Sequence, residues 1–212
     1  MARLGHGQPP TPCGGLRGMT SVRRLAALLA GAAVVAGTLL LAPPSQAAPA
    51  ETLVEKASCH RTLPVYPILR PGDRGRSVRT LQCSLNDVGV GPVVVDGFYG
   101  PQTKAAVQEI VDGFEGQPPH PYRINNGFWV LLFGRQLPDR NLASGAHGPA
   151  VTVLQRALRA AGADLVVDGD FGPQTVRAVK QYQKANGVAQ SGVVNENTRF
   201  FLSMGGVIGQ LS

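Results

Sequence analysis

The frame Asp-Gly-x-aromatic-Gly-Pro-Gln-Thr occurs twice in this chain of 212 residues, as DGFYGPQT from Asp96 and as DGDFGPQT from Asp168. The copies stand 72 residues apart, about one small domain, so two like units are expected. Both frames carry the same physical content. Gly97 and Gly169 accept positive φ, and Asp96 and Asp168 can hydrogen-bond the turning backbone. Tyr99 or Phe171 follows as an aromatic anchor, and Pro101 or Pro173 takes the first position of a helix.

The flanking sequence repeats as well. GDRGRSVRTLQCSLNDVG places Val78, Leu81, Gln82 and Leu85 on one helical face, and GAHGPAVTVLQRALRAAG places Val151, Leu154, Gln155 and Leu158 likewise. Gly89 and Gly162 stop these helices. The helix after each frame turns Ala106, Val107 and Ile110, or Ala178, Val179 and Tyr182, toward a core. A third short helix is predicted in SGVVNENTRFFLSM, with Asn195 as its cap, and less regularly in NNGFWVLLFG. Between the first and second helices a short β-like run, PVVVD or DLVVD, ends at each Asp-Gly. The fold class is therefore all-α: two tandem small three-helix bundles with short β-like turns. Each is near the lower size limit for independent stability. The expected boundaries are an N-terminal segment at 48–65, a first module at 66–134, a linker at 135–143 and a second module at 144–208.

Residues 1–47 read as an export signal. Arg23 and Arg24 precede an apolar run from Leu25 to Ala42, and Ser45 and Ala47 are placed as small residues of a cleavage site. Met19, followed by TSVRR, is an alternative start, and the competing reading of the run is a membrane anchor. The arginine pair leaves the export route open. Cleavage would remove four arginines and no acid, leaving 16 Lys and Arg against 13 Asp and Glu. That surplus is too small and too scattered to argue for a nucleic-acid partner, and none is expected; it is compatible with loose attraction to an anionic cell-wall surface. It would also leave Cys59 and Cys83 as an even pair in an exported chain, expected to form a disulfide.

The run Gly-x-x-Gly-x-x-Val-x-x-Leu-Gln, then Asp-Gly-x-aromatic-Gly-x-x-Thr-x-x-Ala-Val, resembles the peptidoglycan-binding domain family of three-helix cell-wall modules. The second copy matches from about Ser144 to Leu202, and the first from about Tyr66 to Phe133. The first copy departs at Ile110-Val111, where the second has Tyr182-Gln183, and in DGFEGQPPHPYRINNGFW. The resemblance implies non-covalent attachment to bacterial peptidoglycan, usually as a targeting module joined to a wall-cleaving enzyme. Two modules, the export signal and a linker leave no room for a typical catalytic domain, so the expectation is a secreted, cell-wall-associated, non-catalytic protein that binds peptidoglycan through both modules, with no membrane partner once the signal is removed. The alternatives are a small wall hydrolase with an unrecognised site, or a protein that binds a wall-enzyme partner.

The candidate ligand-binding residues lie around the bends: Asp96, Tyr99 and Thr103, with Asp168, Phe171 and Thr175. Core packing and helix capping are the competing roles for the aromatic and threonine positions. Trp129 and Tyr122 could stack on a sugar or fill the core, and the core is favoured. No metal site is expected, since His60, His120 and His147 stand in no HExxH or His-x-His pattern, and Asp168-Gly169-Asp170 does not complete a calcium loop. Neither a catalytic residue nor a cofactor is expected. Asp96 and Asp168 are explained by turn chemistry, and no nucleophile elbow or nucleotide-binding motif is present.

Overall fold

The computed structural model describes residues 59–116 and 118–209. The export signal expected at 1–47 and most of the segment expected at 48–65 lie outside them. Six helices follow in order: α1 (Arg76–Asp87), α2 (Pro101–Val111), α3 (Asn126–Gly134), α4 (Pro149–Ala160), α5 (Pro173–Ala185) and α6 (Glu196–Ser203). Their starts follow from local chemistry. Prolines open α2, α4 and α5, and the side chains of Asn125 and Asn195 accept from the N–H groups of Phe128 and Thr198 to cap α3 and α6.

Each three-helix unit is closed by two isolated β-bridges. Arg74 pairs with Phe98, and His147 with Asp170, tying the turn before the first helix to the Asp-Gly bend. Leu69 pairs with Ile124, and Leu142 with Val194, tying the start of each unit to the approach of its third helix. Among the described residues no strand extends beyond such bridges, so the β-like runs are extended without a ladder. Leu142 stands in the segment read from sequence as a linker. It is buried, and its pairing with Val194 draws that segment into the second unit.

The two units share one continuous apolar core. The reason lies in α3. In NGFWVLLFG every residue from Gly127 to Gly134 except Phe128 is buried, and a helix apolar on all sides must be covered on all sides. α1 packs on one side, while α4 and α6 of the second unit pack on the other. The approach to α6 is close enough that a Cβ at Gly134 would collide with the Leu202 carbonyl, and one at Gly205 with the Gly127 carbonyl. Trp129 is fully buried in this wall, tilted against Tyr66 at 5.3 Å and stacked on Phe133 at 6.4 Å between ring centroids. Tyr122 is half-buried beneath the Lys104 ammonium.

An N-terminal arm, residues 59–68, runs across both units. The Cys59–Cys83 disulfide and the Thr80 hydroxyl, which donates to the His60 carbonyl, hold the arm to α1. Trp129 Nε1 donates to the Pro67 carbonyl from α3. From α4, Arg156 Nε donates to Thr62 Oγ1 and Arg159 Nη1 to the Leu63 carbonyl. The disulfide therefore anchors a strap that reaches both units. Among the described residues no helix is long and apolar enough to cross a membrane.

Candidate functional site

Each Asp-Gly bend is organised by a glutamine from the preceding helix. Gln82 on α1 donates through Nε2 to Asp96 Oδ1 at 2.7 Å, the Phe98 carbonyl at 3.0 Å and Thr103 Oγ1 at 3.1 Å. Its Oε1 accepts from the Gly97 N–H at 2.8 Å. Gln155 on α4 repeats the set with Asp168, the Asp170 carbonyl, Thr175 and the Gly169 N–H, at the same four distances. Gly97 and Gly169 take φ of 78° and 82°, which a side chain would strain.

The same device appears a third time between α5 and α6. Gln183 Nε2 donates to the Val193 carbonyl at 2.8 Å, Thr198 Oγ1 at 3.0 Å and Ser191 Oγ at 3.2 Å, and Oε1 accepts from Gly192 N–H at 3.0 Å. Serine replaces aspartate at this bend. In the first unit Val111 holds the position of Gln183, so α3 is reached without a glutamine, through the Leu69–Ile124 bridge and the Asn125 cap that the second unit matches with Leu142–Val194 and Asn195.

The six candidate residues divide by exposure. Tyr99, Thr103, Phe171 and Thr175 are each 1 or 2% exposed, whereas Asp96 and Asp168 face solvent. Tyr99 donates through its hydroxyl to the Tyr122 carbonyl, and burial raises its pKa. The Asp96 carboxylate is held below its ordinary range by the Phe98 N–H and then by the Gln82 amide; the Asp170 N–H and Gln155 do the same for Asp168. Beside each bend an apolar side chain is left outside, Val94 at 51% and Val166 at 57% exposure.

Beside the second bend lies a groove of about 880 Å³. Its second-unit side carries His147, Arg156, Asp168 and Asp170; Arg61 of the arm and Asp87 of α1 complete the lining, bound to each other at 2.7 Å. Sequence reasoning did not assemble this set, because the groove forms only when the arm crosses between the units. The repeated Leu-Gln on α1 and α4 was the available signal for the glutamine networks. Among the described residues, no three His, Cys, Asp or Glu side chains gather as a metal-holding group.

The family described as "Putative peptidoglycan binding domain" matches residues 74–110 and 147–202, which contain both glutamine-bound bends. Both stretches belong to the peptidoglycan-binding domain family. The second match spans α4, α5 and most of α6, while the first stops within α2, where Val111 replaces the glutamine. A zinc D-Ala-D-Ala carboxypeptidase of Streptomyces albus G is 42% identical over 62 residues, covering 27% of this chain and 24% of that protein. The chain thus spans about a quarter of the relative's length. No solved structure matches the chain.

Proposed function

We propose that the protein is exported and binds bacterial peptidoglycan without cleaving it. The observation that carries this is the family match over two stretches that fold as two units around one core. Asp96 and Asp168 present charge at the bends, while Tyr99, Thr103, Phe171 and Thr175 hold the shape that places it. The shared core gives the units a fixed spacing, so any avidity depends on the repeat of the polymer rather than on a flexible tether. The modest positive balance of the described chain suits an anionic wall.

A small wall hydrolase is the rival. Purified chain incubated with isolated sacculi should leave turbidity constant and release neither reducing ends nor new amines. Steady release of either, in proportion to added protein, would assign it a hydrolytic activity instead.

A further inference from the structure

Cys83 and Arg156 occupy the same place in their helices, the position after the network glutamine. On α1 that place is closed: Cys83 is buried and bonded to Cys59 of the arm. On α4 the arm passes to one side, where Thr62 takes the Arg156 Nε–H at 2.9 Å, and the groove opens in front of the guanidinium. A second difference reinforces the first. Where the second unit has His147 and Asp170, the first has Arg74 lying over the Phe98 ring, 3.9 Å from its centroid.

Arg156 is partly withdrawn from water, and that desolvation lowers its pKa, though a guanidinium stays charged at neutral pH. Among the described residues the ion pairs are Arg61–Asp87 and Arg199–Asp139, and neither terminal nitrogen of Arg156 donates a hydrogen bond. A half-buried planar fork whose terminal edge, Nη1 and Nη2, is unused while Nε–H is held by Thr62 fits a carboxylate, which it can hold through paired, charge-assisted hydrogen bonds. Lining the same groove, the exposed carboxylates of Asp168 and Asp170 offer acceptors for an ammonium or amide N–H.

We propose that this single groove, rather than two equivalent sites, is the binding site. Its ligand is a short peptide carrying both a carboxylate and an amine, the chemistry of the peptide portion of peptidoglycan. The inference rests on the wall-binding reading above and deepens it. Sugar hydroxyls would offer the Arg156 fork neutral acceptors only, a weaker match than a carboxylate.

The test is co-sedimentation of the full purified chain with sacculi, competed by peptides enzymatically released from the wall or by peptide-free glycan strands. Arg156→Gln, Arg156→Lys and Asp170→Asn are compared with the parent, each checked by thermal unfolding. Losing a charged, forked contact should weaken binding roughly 10- to 100-fold in Arg156→Gln. Arg156→Lys should fall between, and Asp170→Asn should lose several-fold. Released peptides should compete and glycan strands should not. A folded Arg156→Gln that binds like the parent overturns the groove while leaving wall binding intact. Competition by glycan and not by peptide overturns the ligand class, and a parent chain that stays in the supernatant overturns both readings. Should Arg156→Gln fail to fold, the competition series and Asp170→Asn, whose side chain is exposed, decide the matter.

Discussion

A primary amide offers two donors and an acceptor on one rigid plane, enough to bind a turn's backbone and its side chains together. Gln82, Gln155 and Gln183 each do this from a buried helical position. Replacing Gln155 with leucine would keep the volume but strand the buried Gly169 N–H, while the Thr175 hydroxyl keeps its bond to the Asp170 carbonyl. Leaving such a group unsatisfied costs about 1–3 kcal/mol. Urea unfolding of Gln155→Leu should therefore show a loss of about 1–3 kcal/mol, with the slope unchanged. The bends also set an acid limit. Asp96 and Asp168 have folded pKa values lowered by hydrogen bonds, so their stabilisation is complete above the unfolded value of about 3.9 and is lost as pH falls through the folded values. Urea midpoints measured from pH 6 downward should fall below about pH 4 in the parent, and less steeply in an Asp96→Asn, Asp168→Asn double variant. The bends themselves were readable because Asp-Gly and Gly-Pro each have a local conformational meaning. The glutamines were not, since a polar residue beside an apolar stripe says nothing about what it will bind 14 residues later.

Among the elements, α3 departs furthest from a simple repeat. NGFWVLLFG reads poorly as an amphipathic helix because it has no solvent face, and its two sides are covered by different units. Sequence periodicity measures one buried face, so it placed this helix without revealing that it is shared. Gly134 is the contact's tightest point. Gly134→Ala should force α3 and α6 apart at a cost of about 1–3 kcal/mol, visible as a lower melting temperature, whereas alanine would ordinarily favour the helix. The arm supplies the other connection. The Cys59–Cys83 bond joins residues 24 apart, and loop entropy assigns such a crosslink about 3 kcal/mol. A Cys59→Ser, Cys83→Ser variant should lose about that much in urea unfolding, and reductant should bring the parent to the same midpoint.

At the scale of the molecule, two units derived from one pattern have become unequal parts of one body. The all-α class, six helices and family were legible because local signals repeat in register. The common core and the groove were not, because both depend on contacts between residues far apart, such as Arg156 with Thr62 and Trp129 with Pro67. The first unit has the bend but, with Val111 in place of Gln183, lacks the third glutamine network, and its α1 face is bonded to the arm. What remains common to both units is the glutamine-bound Asp-Gly bend. The measurement that bears most directly on this account is a saturation isotherm of the purified chain on isolated sacculi, read as protein in the pellet. Saturable retention, weakened by added peptidoglycan fragments, is the expected result; a chain that stays in the supernatant at every sacculus concentration would contradict it.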